Sequence, residues 1–310
     1  MTTTTAAAEA AARFACFGGH CAALVIGDGP QGTAEEAVAR ARQRLLGWHD
    51  RFSRFEPASE LSRLNADPRP VVPVGELMAR MAEAVVDAAS DTGGLVDATL
   101  VGELETAGYR SDQPTSVPLA RALALAPPRR PAGPSPERRW ATITVDRAAR
   151  TIRRPGGVRL DSGGIVKGML ADVLGETLAW HEAYAIDCAG DLRLGGLGHV
   201  PRTVRVASPF NDDILHEFEL TAGGVATSGI GRRSWIGPDG SPAHHLLDPA
   251  TGRPAFTGVV QATALAPTAL EAEVAAKAAV LSGPGGAARW LRHGGVVVLE
   301  DGSHQIHQPR

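Results

Sequence analysis

The segment Leu160-Asp-Ser-Gly-Gly-Ile-Val-Lys-Gly168 decides how this chain is read. A carboxylate is followed by two glycines, and the apolar spacing that starts at Ile165 then predicts a helix over residues 165–180. Glycines let backbone N–H groups approach an anion, and the start of a helix favours negative charge. Lys167 falls in the first helical turn, where it can meet a phosphate as a point charge. The spacing is neither that of a P-loop nor that of the dinucleotide fingerprint. Taken alone, the segment equally fits an ordinary glycine-rich turn that carries a solvated lysine.

Working outward, strands are expected near residues 183–188, 203–207, 216–220, 224–228 and 259–265. A helix follows over 268–281, a short helix over 286–292 and a closing strand over 295–299. Upstream, 141–145 and 151–153 form a hairpin around Asp146-Arg-Ala-Ala149. Residues 111–139 hold seven prolines and are expected as a Pro-rich connection, flexible over 127–136, with a helical turn or two at 119–125. It either separates two sub-domains or is an insertion inside one. Further upstream lie a helix at 75–89 and a helix that runs to about His49 from the capping box Thr33-Ala-Glu-Glu36. A strand covers 22–26, and the Thr- and Ala-rich residues 1–12 are expected as a disordered tail. Strands and helices mix without strict βαβ alternation, which points to an α+β fold.

The chain has 310 residues, a net charge of -3 and a pI near 6.4. Such a balance carries no basic footprint for nucleic acid. Of 31 basic residues 29 are arginine, and the two lysines, Lys167 and Lys277, stand out. Gly and Pro together make 58 residues, too few for a low-complexity chain. Cys16, Cys21 and Cys188 form no CxxC pair, so reduced thiols are expected rather than a zinc site. No apolar run reaches the ~18 residues of a membrane span. The first residues lack the basic and Leu-rich parts of a signal peptide, so a cytoplasmic location is expected.

Five more segments carry possible chemistry. Ala226-Thr-Ser-Gly229 with Arg232-Arg233 offers anion-binding turns and phosphate forks. His245 and Asp248, three apart, could form a histidine–carboxylate pair, an arrangement more often structural than catalytic. Glu273 and Lys277 share one helical face; an exposed pair there is worth only ~0.3–0.5 kcal/mol. Phe52-Ser-Arg-Phe55 leads to Ser59, a possible turn cap, and Asn65, a possible stop; Gly93-Gly-Leu-Val-Asp97 is the last.

In this order, the segments resemble the ApbE family of FAD:protein FMN transferases. The family pattern FS-x-aromatic-x-x-x-SE-[IL]-S-x-LN is matched by Phe52, Ser53, Phe55, Ser59, Glu60, Leu61, Ser62, Leu64 and Asn65. GG-x-FDPTV is matched by Gly93, Gly94, Asp97, Thr99 and loosely Val101, LDLGGIAKG by residues 160–168, and NLGGD-[IL] by residues 187–192. ATSG, H-[IL]-x-DP-x-TG-x-P and APTA are met from Ala226, His245 and Ala266. The resemblance implies a single ApbE-like domain over about 13–310, with mixed or antiparallel sheets flanked by helices and FAD bound in a cleft. It implies transfer of FMN from FAD to a Thr or Ser hydroxyl of an acceptor protein, with release of AMP. An FAD-hydrolysing pyrophosphatase and a non-catalytic FAD-binding protein are the alternatives.

By matched position, Phe17, Phe55, Leu95, Val96, Asp97, Asp161, Lys167 and Leu246 are the implied FAD contacts, with His245 and Lys167 as catalytic candidates. The family also implies a magnesium ion held at Gly164 and by an Asp and a Thr that fall here on Glu273 and Lys277. Glutamate keeps a carboxylate, but an ammonium has no lone pair to ligate with. Either Lys277 puts its own charge where the ion would help, or it swings aside and the ion binds through Gly164, Glu273 and substrate oxygens. Phe17-Gly-Gly-His20 and Asp187 also depart from the family pattern, implying an altered flavin pocket.

Overall fold

The computed structural model describes residues 8–111 and 116–310. Its centre is an eight-stranded sheet, antiparallel throughout, whose strands lie side by side in chain order. They are β1 (Glu9–Cys16), β2 (Gly19–Ile26), β3 (Ala183–Cys188), β4 (Asp191–Gly195), β5 (Gly223–Gly229), β6 (Val259–Ala266), β7 (His293–Leu299) and β8 (His304–Pro309). The helices are α1 (Ala34–Phe52), α2 (Glu60–Ala66), α3 (Glu76–Asp91), α4 (Val101–Thr106), α5 (Leu119–Leu125), α6 (Val166–Leu178) and α7 (Ala269–Ser282). The architecture is α+β.

Side chains alternate across a strand, so each strand serves two layers. In β3, Tyr184, Ile186 and Cys188 enter the main core with α1, α3 and α6, while Ala185 turns to a second cluster. That second cluster joins Leu194 and Val225 to Val204, on a hairpin of Arg202–Ala207 and Ile214–Leu220. Helix α7 packs against β5, β6 and α6, with Ala272, Ala276 and Ala279 fully buried. Its small side chains bring backbone close to backbone. At Gly168 of α6 an added Cβ would stand 2.6 Å from the Ala269 carbonyl of α7.

The α6–α7 crossing is pinned at one end. Asp172 accepts the α7 N–H groups of Ala269 (2.8 Å) and Leu270 (2.9 Å), two donors without helical partners, beside the Thr268 cap. Asp172→Ala removes this cap and is expected to cost about 1–3 kcal/mol, read as a lower urea midpoint at unchanged slope.

The Thr33–Glu36 capping box forms as expected, and α1 runs three residues beyond His49. Two expectations are corrected. Glu9–Ala12 are not a tail: they pair with Ala23–Ile26 in β1, whereas residues 1–7 lie outside the described ones. The Pro-rich stretch is not loose over 127–136. Arg130 N–H bonds the Phe256 carbonyl, Ala132 N–H that of Leu281, and Gly133 N–H the Asp248 carboxylate. Residues 112–115 of that connection lie outside the described ones. Among the described residues no helix is long and apolar enough to cross a membrane.

Candidate functional site

A cleft of about 260 Å³ opens where the end of α1, the start of α6, the middle of α7 and the 245–247 turn converge. The Leu160–Gly168 segment forms one wall, and several tethers set its path. Asn65 does not stop α2, as the sequence suggested; its amide holds Leu160 at both N–H (2.7 Å) and carbonyl (2.8 Å). Ser162 Oγ donates to the Phe52 carbonyl at 2.8 Å. Ser59 caps α2 by accepting Ser62 N–H, as anticipated.

Four charges meet at the cleft floor: Lys167 and Lys277, partly buried and lining it, with the buried Asp191 and Glu273 behind them. Lys167 pairs with Asp191 of β4 and lies 3.5 Å from Glu273 Oε1 of α7. Lys277 Nζ donates to the Gly164 carbonyl at 2.6 Å and lies 3.9 Å from the same Glu273 oxygen. Glu273 Oε2 accepts Gly168 N–H at 2.9 Å. The Glu273–Lys277 pair is therefore buried rather than exposed. Burial works against both charges of Lys167 and Glu273, yet their partners win: Lys167 is held above the ordinary lysine range and Glu273 below the carboxylate range. Burial dominates at the other two, raising Asp191 and lowering Lys277.

This floor does not fit a magnesium ion. Magnesium needs close octahedral coordination by oxygen. The Gly164 carbonyl is taken by an ammonium, one Glu273 oxygen by an N–H, and the other faces two ammonium groups. Among the described residues no group of three or more His, Cys, Asp or Glu can hold a metal. Lys277 does not swing aside in this arrangement; its ammonium rests on the Gly164 carbonyl.

Around the floor, three buried polar atoms have no hydrogen-bond partner among the described residues: Arg54 Nη2, Asp97 Oδ2 and His245 Nδ1. All three residues line the cleft. Such orphans are costly unless a ligand satisfies them. Arg54 is clamped by Asp161 (Nε to Oδ1, 3.1 Å) and the Tyr109 carbonyl, and its guanidinium lies over Phe55 at 4.4 Å and Tyr109 at 4.9 Å. Asp97 Oδ1 accepts Thr99 N–H and hydroxyl; burial raises its carboxyl despite those bonds. Burial, then Arg233, His244 and Lys277, lower the His245 imidazole well below the usual histidine value.

His245 and Asp248 do not pair. Asp248 instead accepts Gly133 N–H, Ala250 N–H and the Thr251 hydroxyl, locking the loop behind the cleft. Every residue implied as an FAD contact, Phe17, Phe55, Leu95, Val96, Asp97, Asp161, Lys167 and Leu246, lines this one cleft. His245, Gly164 and Lys277 line it too, while Glu273 stands behind. Of the two arginines, Arg233 lines the cleft and bonds the Phe17 carbonyl at 3.0 Å; Arg232 is exposed. The sequence did not single out Arg54, Tyr109 or the Asp191 partnership. The first two are carried by loops whose approach only the fold reveals.

Beside His245, His244 is fully buried and its pKa is lowered to about 3 by burial. A depressed folded pKa means the unfolded chain takes the proton first, so stability falls as pH drops through the ordinary value of ~6.5. His244 alone is expected to cost about 2 kcal/mol at pH 5 relative to neutral pH, and His244→Gln should flatten that slope in urea titrations.

Three comparisons bear on this arrangement. The model of the ApbE family matches residues 17–299. An FAD:protein FMN transferase of Klebsiella pneumoniae is 27% identical over 275 residues, covering 85% of this chain and 76% of that protein. The ApbE protein of Thermotoga maritima superposes with a TM-score of 0.77 at 24% identity, over 97% of each chain. The apo flavinyl transferase ApbE of Pseudomonas stutzeri gives 0.76 at 20% identity, over 99% of this chain and 96% of that one. These likenesses share the antiparallel sheet and its helices, and the family match spans every segment of the cleft: the chain belongs to the ApbE family.

Proposed function

We propose that the chain is an FAD:protein FMN transferase, moving FMN from FAD to a Thr or Ser hydroxyl of an acceptor protein. The observation that supports it most is the cleft itself, lined by Lys167, Lys277 and by Arg54, Asp97 and His245, each of which carries a polar atom with no partner among the described residues. A pyrophosphate between two ring systems suits that mixture of cations, apolar walls and orphaned hydrogen-bonding groups. The hydroxyl oxygen forms a bond to the FMN phosphorus, and the bond from that phosphorus to the bridging oxygen breaks. AMP leaves with the bridging oxygen, and the hydroxyl proton passes to His245 and then to solvent.

Positioning and charge neutralisation dominate such a transfer. Lys167 and Lys277 supply positive charge at the floor. His245, kept neutral, offers a lone pair to the hydroxyl. Magnesium, the family's ion, finds no fitting donor set, so no step passes through it. The three buried thiols support a reducing compartment, and so an acceptor on the cytoplasmic side.

The test is incubation with FAD and a Thr-bearing acceptor, followed by intact mass. The acceptor should gain one FMN with AMP in equal amount. Free FMN and AMP without acceptor labelling would establish a hydrolase. FAD binding with no AMP would leave a binding protein.

A further inference from the structure

We infer that the Lys277 ammonium is the built-in cation of this cleft, binding the FAD pyrophosphate so that the protein works without a divalent ion. The inference rests on the transferase reading for its substrate, but its core is a binding claim. Lys277 Nζ sits on the Gly164 carbonyl at 2.6 Å, in the glycine-rich turn that leads into α6. Both Gly164 and Lys277 face the cleft. An added Cβ at Gly164 would overlap that ammonium, so the glycine is what lets the lysine in.

The position is built from behind. Glu273 offers Oε1 to both lysines and spends Oε2 on Gly168 N–H, while Asp191 takes Lys167. Two ammonium groups and two carboxylates make a neutral set, which lets two cations stay buried without an outside counter-ion. A pyrophosphate diester brings two negative charges. The carboxylates lie on the far side of the ammoniums and leave Lys277 donors for the ligand, since an ammonium has three. A charge already fixed in place needs little reorganisation when substrate arrives.

Flavin fluorescence titrations with the full chain test this. In EDTA, FAD should bind the wild type as tightly as with magnesium, within about twofold. Lys277→Met should weaken FAD at least tenfold yet leave riboflavin, which lacks phosphate, unchanged. AMP release by the wild type should persist in EDTA and fall at least a hundredfold in the variant. Because Lys277→Met leaves Glu273 short of a partner, the double variant Glu273→Gln/Lys277→Met, again neutral, must show the same losses while melting cooperatively. Lys277→Thr, which frees the Gly164 carbonyl and adds a hydroxyl oxygen, should recover AMP release only with magnesium. Loss of wild-type AMP release in EDTA with recovery in magnesium overturns the inference. So does a folded double variant that binds FAD as the wild type does. Lysine-dependent FAD binding with no AMP under any condition defeats the transferase reading and leaves the cation assignment standing.

Discussion

Replacing His245 by Gln will lower the rate of FMN transfer by about 10²–10⁴-fold while FAD affinity changes little. The ring lines the cleft, and its buried Nδ1 has no hydrogen-bond partner among the described residues. Burial and the nearby Arg233, His244 and Lys277 hold the imidazole neutral well below the usual histidine value. A base must be unprotonated to act. The acid limb of the rate profile should therefore fall below pH 6.5, the ordinary histidine value, and vanish in His245→Gln. Single-turnover AMP release against pH measures this, alongside fluorescence titration of FAD. A variant as fast as the wild type would remove His245 from the chemistry.

Lys167→Met is expected to be the most damaging single change to both fold and site. It strips the partner from Asp191, whose side chain is only 2% exposed, and one of two from Glu273. Breaking one member of a buried ion cluster costs about 3–5 kcal/mol because the remaining charge stays unpaired. The sign of the pH effect follows from the raised Lys167 value. A raised group contributes stability fully below its unfolded value, ~10.4, and loses it as pH climbs through the folded one. The Lys167 contribution should thus be lost in full at neutral pH, and the destabilisation should ease in acid, where the raised Asp191 carboxyl takes a proton. Urea denaturation at pH 5 and 8 measures it. Lys167→Met/Asp191→Asn, which removes the pair together, should recover part of the stability but not FAD binding.

Much of this site was legible because its segments are local. Asp161, the paired glycines and Lys167 sit within eight residues, and the capping and helix signals around them are short-range. What was not legible depends on distance. Asp191 meets Lys167 only because β4 runs beneath α6, and Asp248 turns from His245 because residues 130–133 come back to claim it. Arg54 occupies an unremarkable position in its segment; its importance comes from Asp161 and Tyr109, brought in by other loops. In the fold, β1 was missed because its run of alanines has weak strand preference and only pairing with β2 makes it a strand. Likewise β8 is polar and gains its state from β7.

The strand order has a consequence for how the molecule is made. From β3 onward each strand pairs with the next, across gaps of fewer than 30 residues. Between β2 and β3, which are also neighbours, lies the whole of residues 27–182. Joining that gap costs chain entropy of about 4–5 kcal/mol before any contact rewards it. Synthesis therefore delivers the N-terminal hairpin early, with α1 packed on it but without its sheet neighbour β3. The C-terminal meander supplies the template, and the binding cleft comes into being as the last event of folding, when the first-made strands find the later-made ones.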